Sequence, residues 1–259
     1  MLKFFRNLCR PRVTNYYAAL LLALGSARAL AADGAAFNAI GYSPDSRYFA
    51  FEQYGVQDGS GFPYWDVFVI DLKSNEWVKG SPYRALIESE QARPAAARDQ
   101  AHAAAAPALQ ELAITEPAEL IAANPATEAV PERERLIFDR WYESLGARSG
   151  QKSQLGVRFE LSVEKIPLSR PPKCPEGDGE SYGVRVSLKD LQTGKSRVIH
   201  EDKAIPDSRN CPAAYDVAAV VAQTGLPVTD RLVAIIGVYA RGFEGLNHRF
   251  IAVPFTISD

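Results

Sequence analysis

Glu52, Asp58 and Asp66 are the acids of this chain best placed for chemistry, because one expected hairpin carries all three. Glycoside hydrolysis needs two carboxyl groups held about 5–9 Å apart, so a hydrolase acting on saccharide or peptide is one reading of them. Surface acids flanking a loop is the plainer one. Nucleophilic catalysis has less to start from. A serine nucleophile needs a base within hydrogen-bond reach, yet Gly59-Ser60-Gly61 sits in a hairpin loop and no Gly-x-Ser-x-Gly elbow occurs. The three histidines are scattered. His102 falls in an alanine-rich stretch where solvent exposure is expected, and His200 ends a strand before Glu201-Asp202, where a turn accounts for it. Only His248 has charged company, in Arg241, Glu244 and Arg249. Gln57-Asp58-Gly59-Ser60-Gly61 offers oxygens in a tight turn but lacks the spaced acids of an EF-hand. No phosphate loop, dinucleotide fingerprint or zinc-ligand spacing is present, so no catalytic residue, cofactor or metal is assigned.

Recognition has a better footing. The loops Gly55–Trp65 and Arg241–Arg249 both mix glycine, aromatics and charges, the composition of contact surfaces carried on rigid β scaffolds. They nominate Asp58, Tyr64, Trp65, Arg241, Phe243, Glu244, His248 and Arg249 as an interaction surface for an envelope protein or a small ligand. The competing reading is that Phe62, Tyr64, Trp65 and Phe243 cap the ends of a core.

The N-terminus carries an export address. Lys3, Arg6, Arg10 and Arg12 form a basic leader without acids, Tyr16–Leu24 is a short apolar core, and Ala29-Leu30-Ala31 before Ala32 fits a signal-peptidase site. The apolar run ends at Gly25, Ser26 and Arg28, short of the roughly 20 residues of a membrane span. Cleavage between Ala31 and Ala32 is therefore expected, leaving a periplasmic or secreted product with no stable membrane insertion. That cut removes five of the 29 basic residues and none of the 31 acidic ones, for a net charge of −7. Such a product has no general attraction for nucleic acid or anionic lipid. Cys174 and Cys211 remain, an even pair in an oxidising compartment, each followed by proline; one disulfide is expected. A two-thiolate metal site is the alternative, and it lacks nearby partners.

Alternating apolar and polar residues mark strands over 37–42, 47–54, 66–72, 135–142, 155–166, 182–188, 196–200, 215–221, 231–239 and 249–257. Ser43-Pro44-Asp45-Ser46 is a turn between the first two. Pro254 cannot donate to a ladder, which puts the last strand at an edge or on a bulge. Composition shifts near Ser89, and residues 89–131 read as an Ala/Pro-rich helical insertion or linker, with one helix from Pro94 broken near Pro107. The expected fold is mainly β, antiparallel meanders in a sandwich- or blade-like arrangement, with this one Ala-rich helical insertion. Residues 1–31 are the signal peptide and 32–259 a single exported β-rich domain.

Ser43-Pro44-Asp45, Phe49-Ala50-Phe51 and Val67-Phe68-Val69-Ile70-Asp71-Leu72 resemble one WD40-like repeat of periplasmic propeller proteins, with Ser46 where that repeat has glycine. Val184 to Gly194 is a fainter second copy, and a closed propeller needs at least about four blades; a blade-like meander within another β fold is what the resemblance implies. Nearly the whole mature chain resembles a bacterial family of predicted secreted proteins of unknown function. The matching stretches are Gly41–Asp45, Glu52–Tyr64, Ile205–Pro212 and Gly242–Val253. That resemblance implies export and no particular catalysis.

Overall fold

Leu232-Val233-Ala234-Ile235-Ile236 is apolar at every position, so a strand built from it has no polar face and needs cover on both sides. The computed structural model, which describes residues 32–125, 132–143, 154–175, 177, 179–224, 231–242 and 245–257, shows that cover. The chain begins with a meander of β1 (Ala36–Tyr42), β2 (Tyr48–Val56), β3 (Pro63–Asp71) and β4 (Glu76–Trp77), and β5 (Tyr83–Leu86) pairs with β3 to complete the first sheet. Helix α1 (Pro94–Glu111) crosses the outer face of that sheet. After it, β6 (Ala118–Ala123) joins the central sheet, while β7 (Arg135–Glu143), β8 (Gln154–Pro167), β9 (Tyr182–Asp190) and β10 (Ser196–Glu201) form the third sheet as a second meander. β11 (Pro212–Gln223), β12 (Arg231–Arg241) and β13 (Leu246–Thr256) return to the centre, giving the order β13-β12-β11-β6. All these pairings are antiparallel. The mainly β sandwich with one alanine-rich helix is the architecture expected, and β13 with its Pro254 lies at an edge.

Period-2 alternation sorts β12 between two cores. Leu232, Ala234, Ile236 and Val238 meet Leu161, Val184 and Val186 of the third sheet. Val233 and Ile235 meet Phe49, Phe51, Phe68 and Ile70 of the first. On β11 the alternation slips once: Tyr215 and Val217 face the third sheet, but so do Val220 and Ala222. A register shift between Val217 and Ala219 against β12 supplies the extra residue, a bulge that restores the apolar face after a change of parity.

The turn before β2 forms as expected. Ser43 Oγ donates to Asp45 Oδ1 at 2.6 Å and accepts from Tyr48 N–H at 2.9 Å, while Ser46 takes a left-handed φ of 54°. Helix α1 corrects two expectations. It runs unbroken through Pro107. The carbonyl that Pro107 leaves without its N–H belongs to Ala103, an exposed position where solvent can reach it. Residues 118–123 form an edge strand of the central sheet, within the segment expected to be a helical insertion or linker. The helix docks through Ala97, Ala101 and Ala105, all fully buried on Trp65, Val67 and Ala85. Small side chains at i, i+4 spacing let its backbone approach β3 closely. Among the described residues, no helix is long and apolar enough to cross a membrane.

Candidate binding cleft

The loops that the sequence nominates are shorter than expected, because β2 extends to Val56 and β3 starts at Pro63. Alternation then decides which side chains they present. Tyr64 faces the central sheet and Trp65 faces α1, and both are buried. Tyr64 OH donates to Asp33 Oδ1 at 3.1 Å; Trp65 stacks on Tyr54 with ring centroids 3.9 Å apart. Neither ring is surface for a partner, in line with the core-capping reading. Asp58 stays in the turn and His248 is drawn inward, while Phe243 and Glu244 lie outside the described residues.

Arg249 meets the first loop at Tyr64, and Arg241 lies beside it. Together with Gln57, Asn247 and the disulfide loop they line a cleft of about 680 Å³ between the first sheet and the β12–β13 edge of the central sheet. Cys174 and Cys211 are bonded, as the even count suggested. Their bridge ties Lys173 to the 3-10 turn Asp207–Arg209, and residues 207–210 form one wall. A second lobe of about 350 Å³ shares Phe68, Trp77, Ser208, Arg209, Phe250 and Ile251 with the first, so the two form one groove. Trp77 is 42% exposed and leans on Phe68 at 5.6 Å, an aromatic shelf at the mouth.

The electrostatics of the groove are basic. In the larger lobe Arg84, Lys173, Arg209, Arg241 and Arg249 face Asp66 and Asp207, while the smaller lobe adds Glu76 and Asp202. Arg249 pairs with Asp33 and lies 4.5 Å above the Tyr64 ring, and Arg209 pairs with Asp202. Lys173 and Arg241 meet the carbonyl oxygens of Asp207 and Glu180 instead of carboxylates among the described residues. Burial raises the Asp66 carboxyl above its ordinary range, more than the Gln53 hydrogen bond and the Arg84 and Arg249 charges lower it. Asp202 shows the opposite balance. Burial raises it, but His200, Arg209 and the Val184 N–H at 2.8 Å together hold it below the usual carboxylate range. The Asp202–Arg209 ion pair, with His200 on the other carboxylate oxygen, fixes Arg209 at the groove wall, a role for His200 and Asp202 beyond the turn expected there.

The hairpin acids do not converge. Gln53 pairs with Asp66 and Glu52 with Val67 across β2 and β3, so Glu52 and Asp66 point to opposite faces of the sheet. Glu52 is buried beneath α1, where its carboxylate accepts from Asn38 Nδ2 at 2.8 Å and Trp65 Nε1 at 2.7 Å and meets His102 Nε2 at 2.6 Å. His102, expected in solvent, is a docking contact of the helix. Sequence reasoning also missed Trp77, Arg84, Lys173 and Arg209, which come from four separate segments. Only the cysteine pair could have pointed to Lys173 and Arg209. No group of three or more His, Cys, Asp or Glu side chains able to hold a metal ion occurs among the described residues.

Residues 50–256 match the model of a family described as predicted secreted protein (DUF2259). No curated protein matches the chain.

Proposed function

We propose that this chain, which belongs to the DUF2259 family of predicted secreted proteins, is a non-enzymatic periplasmic binding module that holds an acidic ligand of the cell envelope in the groove beside β13. On this reading residues 1–31 are a cleaved leader, and an envelope protein or small ligand is the partner. The observation that carries the proposal is convergence: both glycine-aromatic loops and the disulfide loop line the same cleft, with five basic and two acidic side chains. A concave basic wall on an otherwise acidic chain focuses field on an incoming anion. Trp77 and Phe68 add an apolar shelf beside it. The hydrolase alternative draws less support, since Glu52 and Asp66 face away from each other.

The test is calorimetry with a carboxylated oligosaccharide and an acidic peptide at low and high salt. Binding that weakens with salt, and drops about tenfold in a Lys173→Gln/Arg241→Gln variant, supports the reading. Each lost charge-assisted contact is worth roughly 1.5–3 kcal/mol at most. No binding by either probe, or binding indifferent to both substitutions, sinks it.

A further inference from the structure

Asp216 on β11 and His248 on β13 lean towards each other across Gly237 of β12. A Cβ added at Gly237 would lie 2.1 Å from Asp216 Oδ1 and 2.4 Å from His248 Nε2, so the missing side chain is what admits both groups. These two atoms stand 4.0 Å apart, beyond hydrogen-bond reach. Both are buried, and neither has a hydrogen-bond partner among the described residues. Asp216 is only 7% exposed.

The surroundings hold the pair in place. Tyr239 OH donates to the other carboxylate oxygen at 2.7 Å and itself accepts from Arg133 at 3.2 Å. The His248 ring stacks on Tyr239 at 4.4 Å and meets Phe250 edge-on at 4.6 Å. A cavity of about 210 Å³ opens beside the pair, walled by Phe37, Leu120, Ala123, Ala219 and Phe250. Leu120, 58% exposed, marks its rim. Leaving a buried polar atom unmatched costs about 1–3 kcal/mol, so a group that hydrogen-bonds to both atoms would recover that cost.

One atom about 2.8 Å from each partner spans such a gap at an angle of about 90°. It must donate to Asp216, because a carboxylate only accepts. Burial holds His248 below its ordinary range, with Arg249 and Arg133 acting the same way and Asp216 opposing. A neutral imidazole nitrogen either donates or accepts, and a hydroxyl answers both demands with one oxygen. An ammonium would have to sit beside Arg133, and a carboxylate against Asp216. We propose that this pocket binds a hydroxyl group on a compact apolar body, the oxygen bridging Asp216 Oδ1 and His248 Nε2. The site is independent of the groove reading, although Phe250 contributes to both.

The test uses three probes of one shape on the full mature chain: benzyl alcohol, toluene and benzylamine. Binding is followed by the imidazole nitrogen signals of His248 and by thermal shift. Benzyl alcohol is expected to move the Nε2 signal saturably and to bind about tenfold or more tighter than toluene, as one charge-assisted hydrogen bond predicts. Ala123→Phe, a change at an exposed rim position, should abolish that response while the protein stays folded. Asp216→Asn should bring benzyl alcohol down to the toluene level. Equal binding of alcohol and toluene, tighter binding of the amine, or no response to any probe overturns the proposal.

Discussion

Glu52 Oε2 and His102 Nε2 stand 2.6 Å apart and join β2 to helix α1 across a face otherwise packed with small alanines. Glu52 is 4% exposed and accepts from Asn38 and Trp65 as well. Glu52→Leu strands the buried Trp65 indole N–H and should cost about 1–3 kcal/mol by urea unfolding. His102→Ala, at a partly exposed position, should cost less than 1 kcal/mol. A double-mutant cycle should show coupling above about 0.5 kcal/mol; additivity would remove His102 from the docking account.

His248 predicts a pH dependence. Its folded-state value is lowered from 6.5, chiefly by burial. The unfolded chain therefore binds the proton first, and stability present above 6.5 is lost as pH falls towards the folded value. Urea midpoints of the wild type should drop between neutral and mildly acidic pH, and those of His248→Gln should drop less. A steeper fall in the variant would contradict the sign.

Removing the disulfide should be costly. Cys174 and Cys211 are 37 positions apart, and a loop of that size corresponds to about 4 kcal/mol on the chain-entropy model. A Cys174→Ser/Cys211→Ser variant should lose most of this in denaturant unfolding. It should also lose ligand binding in the groove, because residues 207–210 form its wall. Unchanged affinity in the folded variant would separate the bridge from the site.

Ala113 ends helix α1 with a φ of 49°, and Ile114 N–H bonds back to the Leu109 carbonyl. That left-handed position favours glycine. Ala113→Gly should stabilise by about 0.5–1 kcal/mol, a rise of roughly 1–4 °C in Tm, read by calorimetry.

Local patterns in the sequence determined most of the strands, though not β5 and β6, and also the Ser43–Ser46 turn and the alanine-rich helix, because alternation, turn chemistry and intrinsic propensity act over a few residues. The cysteine pair was equally legible, since an even count needs no geometry. Other features were decided only when sheets stacked. Leu232–Ile236 has no polar phase to show which residues face which neighbour. The bulge on β11 is invisible without the β12 register. The registers of β2 with β3 and of β11 with β12 and β13 separated Glu52 from Asp66 and brought Asp216 to His248 across a glycine. The docking of α1 brought His102 to a carboxylate 50 positions away. The groove likewise gathers side chains from distant segments, so its basic lining comes from packing, and no short stretch of sequence carries it.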